Sequence, residues 1–193
     1  MFNTSSKRIA SVLALSCALL AISATTAFAT VARYMDMPAL VKISDVIVQG
    51  KALKQKTVYD KARKISLLQT TIQVDKVHMG ASKKTIVIQQ FGGTHDGVTT
   101  KISGDAQFEM GEEVVVFLRK GKNNIHYLNA MGQSKFTVSR QGKKVSISRD
   151  LTGFSFVKPG ESKITPITEA QLKMTSFEAR LKAAIKKVKG DNK

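Results

Sequence analysis

The spacing of hydrophobic and polar residues changes once along this chain, and the change divides it into two kinds of structure. From Val41 to about Phe156 the period is two. Leu68, Thr70, Ile72 and Val74 fall on one face and Gln69, Thr71, Gln73 and Asp75 on the other, the signature of a half-buried strand. Val77 breaks the parity, which predicts a bulge near Lys76. Upstream, the β-branched run Val41 to Val48 predicts a strand, with Gly50 placed where it could kink. Downstream, Thr85 to Phe91 predicts another, ended by Gly92-Gly93. Glu112 and Glu113 then open a run in which Val114 to Leu118 are all apolar, so that strand should be covered on both faces. Ile125 to Ala130, Lys135 to Arg140 and Lys144 to Arg149 add three more, separated by Gly132 and Gln141-Gly142. Phe154 and Phe156, around Gly153, are expected to close the core. Strands at this spacing without helices between them predict a mainly β, antiparallel barrel or sandwich.

After Pro166 the period becomes 3.6. Thr168-Glu169-Ala170-Gln171 has the form of a capping box, in which Thr168 and Gln171 each satisfy a free N–H at a helix start. Ala170, Met174, Phe177, Leu181, Ala184, Ile185 and Val188 fall on one helical face, with Lys182, Lys186 and Lys189 opposite and Gly190 as the stop. The expected element is an amphipathic helix over 168–190. Its apolar stripe can pack on the β domain, or its lysine face can lie on an anionic membrane surface; Glu169 and Glu178 weaken the second use.

The N-terminus reads as an export signal. Lys7 and Arg8 form a positive region, Ile9 to Ile22 an apolar run, and Ala27-Phe28-Ala29 a small-x-small site with cleavage expected between Ala29 and Thr30. The run is shorter than the ~20 residues a spanning helix needs. Cys17 lies within it. The residues before Cys17, Ala14-Leu15-Ser16, make a poor lipidation site. The expected division is therefore a signal at 1–29, an N-terminal segment at 30–40, a β domain at 41–157, a linker at 158–167 and the helix. The mature protein would be periplasmic or secreted.

Cleavage would remove the one cysteine, leaving no disulfide, thiol nucleophile or thiolate metal site. The whole chain carries 31 Lys+Arg against 14 Asp+Glu, a net charge of +17. Losing Lys7 and Arg8 lowers it to +15. Such a charge attracts polyanions whatever the fold. For an exported chain these are lipid head groups, lipopolysaccharide, cell-wall polymers or extracellular DNA, rather than cytoplasmic nucleic acid.

Four stretches carry a family resemblance: Ser44 to Gly50, Phe91-Gly92-Gly93, Phe108 to Leu118 and Gln133 to Phe136. In this order they resemble a group of uncharacterised exported bacterial proteins, distantly similar to netrin-like modules and to the tissue inhibitors of metalloproteinases. The resemblance implies a small OB-like Greek-key barrel of five strands with a C-terminal helix. It carries no mechanism over. Those inhibitors chelate zinc through an N-terminal cysteine, whereas the expected first residue here is Thr30.

Catalytic chemistry has little to build on. Glu112 and Glu113 are adjacent on a strand and point to opposite faces, so they cannot share a substrate. His78, His95 and His126 lack metal-ligand spacing, and no G-x-S-x-G elbow is present. No cofactor is expected. Two features suit binding instead. His95-Asp96 sits in a glycine-flanked loop. Lys51, Lys54, Lys56, Lys61, Arg63 and Lys64 crowd the stretch expected to be a loop between the first two strands, opposed only by Asp60. Tyr59 stands among them and could stack on a base or sugar. The sequence thus predicts a non-enzymatic exported binding module for a protein or envelope component, with polyanion binding through the basic stretch as the alternative.

Overall fold

The computed structural model describes residues 30–157 and 160–190; the expected export signal, Cys17 and part of the expected linker lie outside the described residues. The chain begins with strand β1 (Thr30–Arg33) and a six-residue helix α1 (Met37–Lys42). Next come β2 (Val46–Asp60), β3 (Ile65–Met79), β4 (Thr85–Phe91), and the short pair β5 (Gly93–His95) and β6 (Val98–Thr100). β7 (Glu113–Lys120), β8 (Ile125–Leu128), β9 (Lys135–Gln141) and β10 (Lys144–Ser148) follow. The C-terminal part holds β11 (Phe154–Val157), β12 (Ile164–Thr165), β13 (Leu172–Lys173) and helix α2 (Met174–Gly190).

The fold is mainly β. Antiparallel pairing runs β7-β2-β3-β4, and β8 joins β4 on one side and β7 on the other, which returns the order to its start in a barrel-like arrangement. The closing contacts are short: β8 pairs β4 at Val87↔Ile125 and Ile88↔His126, and β7 at Leu118 to Lys120. The β4–β8 and β1–β11 pairings are parallel, so the wholly antiparallel expectation is corrected at two places. Both link strands far apart in sequence, where no hairpin turn dictates direction.

β7 organises the packing. Its first half pairs with β9 and its last residues with β8, while β2 runs along its other edge. Val114 to Leu118 are all fully buried, as the unbroken apolar run predicts. Side chains alternate across a strand, and the two sets enter different cores. Val114, Val116 and Leu118 join Val46, Val48, Ile72, Ile86 and Ile88 inside the barrel-like layer. Val115 and Phe117 join Ile47, Phe136, Ile147 and the helices on the other side. Phe154 and Phe156 do not close either core; with Leu151 they form a third, smaller cluster against Tyr34.

The strand predicted from Val41 begins later. Asp36 caps α1 by accepting the Ala39 N–H at 2.9 Å, and Pro38 fits its first turn. Val41 is therefore helical, buried with Leu40 against α2. The bulge expected near Lys76 occurs as two irregularities in the β2–β3 register, with Asp75 and His78 as extra residues on β3.

The C-terminal helix also starts later than its capping box suggested. Leu172 and Lys173 are extended and pair with Ile147 and Ser146 of β10. Glu169 is engaged elsewhere, so the Thr168 box is not the helix start. From Met174 onward the predicted face holds: Met174, Phe177, Leu181 and Ala184 are buried, and Lys182, Lys186 and Lys189 are exposed. The stripe packs on the protein's own core. The expected linker is structured in part, since β12 pairs with β11.

Candidate cationic binding surface

The basic stretch is a hairpin, not a loop. Lys51, Lys54, Lys56 and Tyr59 lie on β2, whose outer half pairs with β3 down to Asp60↔Ile65. Only Lys61 to Lys64 form the turn. Asp60 Oδ1 accepts the N–H groups of Ala62 and Arg63 at 3.0 and 3.1 Å, and Lys64 takes a left-handed φ of 56° to re-enter the sheet. Asp60 therefore holds the turn closed, with a 3.7 Å contact to the exposed Arg63 guanidinium.

Lys54 stands opposite Thr71 and Lys56 opposite Gln69, so these pairs share one polar face, continued by the Gln69–Gln89 hydrogen bond at 2.8 Å. All six cationic side chains are exposed. From Lys51 to Asp60 the strand spans roughly 30 Å at its ordinary rise per residue. Lys51 is the outlier: it faces Glu113 across the β2–β7 pairing, and its charge helps hold the Glu113 carboxyl below the ordinary range behind the larger effect of Arg140. The other five make a cationic arm.

β7 stops pairing with β2 at Lys51 and Ala52 still bonds to Gly111 and Glu112, but beyond Ala52 the side of β2 away from β3 carries no sheet partner among the described residues. Lysines on such an edge discourage strand-to-strand association.

His95 and Asp96 lie at the same end of the molecule. The stretch read as a glycine-rich loop is the β5–β6 hairpin, turned by Asp96 and Gly97 with left-handed φ values of 48° and 77°. It sits on the arm through Thr57, whose Oγ1 accepts the Thr94 N–H at 3.1 Å. His95 stacks on Tyr59, ring centres 3.8 Å apart and planes 14° apart, and its Nε2 is 3.3 Å from Asp96 Oδ2. Sequence separated these residues by 36 positions; the structure makes them one aromatic platform. One face of Tyr59 is thereby occupied by His95.

Sequence reasoning missed a cavity of about 250 Å³ beside the turn end of the arm, lined by Arg63, Leu67, Phe91, Arg119 and Tyr127 among others. The Arg119 guanidinium lies 5.4 Å from the centre of the Tyr127 ring. Nothing in local spacing announces it, because its walls come from the arm, β4, β7 and β8.

A second missed feature is centred on Arg149. Arg149 is buried, gripping Glu169 through both Nε and Nη2, with Nε–Oε2 at 2.8 Å. Its Nη1 donates to the carbonyls of Met35 and Gln133 at 2.9 and 3.1 Å, and Tyr34 donates its hydroxyl to Glu169. Burial alone would push the Glu169 carboxyl up. Hydrogen bonds from Arg149 and Tyr34, with the Arg149 charge, outweigh it and hold the group below its ordinary value. Among the described residues no three His, Cys, Asp or Glu side chains gather as a metal site, and no helix is long and apolar enough to cross a membrane. Comparison of the chain with protein-family models and with curated proteins finds no match.

Proposed function

We propose that the chain is an exported, non-enzymatic binding module that holds an anionic envelope component on its cationic arm. The observation carrying this reading is the charge balance of the arm. Lys54, Lys56, Lys61, Arg63 and Lys64 are exposed along one strand and its turn, and the only acid among them, Asp60, is occupied by turn N–H groups. Lysines two apart on a strand lie about 7 Å from each other, a spacing that suits the repeating charges of a polyanion. The neighbouring Tyr59–His95 stack offers a flat apolar surface, and Arg63 and Arg119 stand at the adjoining cavity. An OB-like barrel, with this hairpin at one end, is the fold reading that accompanies the proposal.

Retention of the purified protein on its own cell-envelope fraction tests it. The double variant K54E/K56E should lose binding by about tenfold or more at low salt, since each exposed charge contact contributes on the order of 1 kcal/mol. Unchanged retention would refute the arm as the contact surface. A protein partner is the second reading, supported by Leu53, Phe91 and Val98, large apolar residues exposed around the arm. Binding anchored through them would persist at high salt and fall in Phe91→Ala.

A further inference from the structure

The geometry points to a binding site for a fatty acid in the cleft between α1 and α2, independent of the arm. The cleft holds about 720 Å³, within the range of pockets that take small ligands. Its walls are Met37 and Pro38 of α1, Leu172 of β13, and Ala183 and Ala184 of α2, with the Phe136 ring deeper in. Those are carbon surfaces, and the two alanines leave room where larger side chains would have closed the gap.

The polar groups divide by depth. Arg149, Glu169 and Tyr34 also line the cleft, but they satisfy one another and the Met35 and Gln133 carbonyls, leaving that floor little to offer a charged ligand. At the mouth the balance is different. Arg180 and Lys187 flank Ala183 and Ala184 on the same face of α2, at spacings of three, four and seven residues, and lie roughly 10 Å apart along the axis. Neither forms an ion pair among the described residues. Asp36 on the opposite wall is held by capping α1. An apolar slot with two uncompensated cations at its rim matches an alkyl chain ending in a carboxylate. The chain gains from leaving water, and the head remains where solvent and both cations reach it.

Calorimetric titration of the full chain with dodecanoate, below its micelle-forming concentration, tests this. Dodecanoate should bind, and the uncharged dodecanol should bind about tenfold more weakly, as should R180E/K187E toward dodecanoate. Ala183→Phe should abolish binding, because Ala183 is exposed and its enlargement fills the slot without entering the core. Circular dichroism of that variant should match the parent. No heat with dodecanoate, equal binding of the alcohol, or parent-like binding by both variants would overturn the assignment. So would a concentration-dependent dimer that Ala183→Phe disperses, which would give the cleft to a second copy.

Discussion

Arg149 shows how much one side chain can tie together. Its guanidinium carbon lies 5.2 Å from the centres of both the Tyr34 and Phe136 rings, and the group joins the N-terminal segment, the turn before β9 and the stretch before β13. Removing Glu169 would leave that buried charge without its partner. Glu169→Ala should therefore cost about 3 kcal/mol at neutral pH by urea unfolding. The folded state holds Glu169 below its ordinary value of 4.5, so its contribution is complete above that pH. The contribution disappears as the pH falls through the lower folded value, and the gap between parent and variant should narrow there. Asp105 has the opposite sign. Burial raises its carboxyl above the ordinary 3.8, so the ionised form at neutral pH is a cost to folding. Asp105→Asn should stabilise the protein by about 1 kcal/mol at pH 7, an advantage that vanishes below pH 3.8. A variant less stable than the parent at pH 7 would contradict the assignment.

Among the elements, those whose own pattern decides them were legible. Val114 to Leu118 is apolar without a break because β7 has a core on each side, and the stripe from Met174 to Ala184 is regular because α2 has one. Phe177 is the centre of that second packing, its ring 5.1 Å from Phe136. Phe177→Ala should cost about 4 kcal/mol in denaturant unfolding, whereas an exposed Lys182→Ala should be nearly neutral. The elements that were misread depend on distant partners. The Thr168 capping box is locally well formed, yet Glu169 answers to Arg149 twenty residues earlier and Leu172 to the open edge of β10. The outer half of β2 looks like a loop because both its faces are largely polar, and its strand character comes from cross-strand pairing with β3. Helix α1 is too short for periodicity, and its signals are Asp36 and Pro38 alone.

Across the whole molecule, the same limits explain the site. The cations were visible in sequence as a cluster, and so was Tyr59. Their arrangement along a paired hairpin was not, nor the stacking of Tyr59 on His95, nor the cavity between Arg63 and Arg119, since each brings together separate strands. The apolar stripe of α2 turns inward, so the lysines of that helix face solvent above a packed core. The arm is a cluster of exposed cations whose one acid within the hairpin, Asp60, is already engaged by the turn. Its role is a question of how binding responds to salt. Each phosphate or carboxylate neutralised releases counterions, so affinity falls steeply as salt rises, in proportion to the contacts made. The decisive measurement is retention of the parent and of K54E/K56E on the cell-envelope fraction, from low salt to about 0.5 M, a range over which the screening length shrinks several-fold. Parent binding should fall steeply near physiological salt, and the variant should show a slope shallower by about two contacts. Identical slopes, or parent binding that survives the full series, would contradict the arm's role.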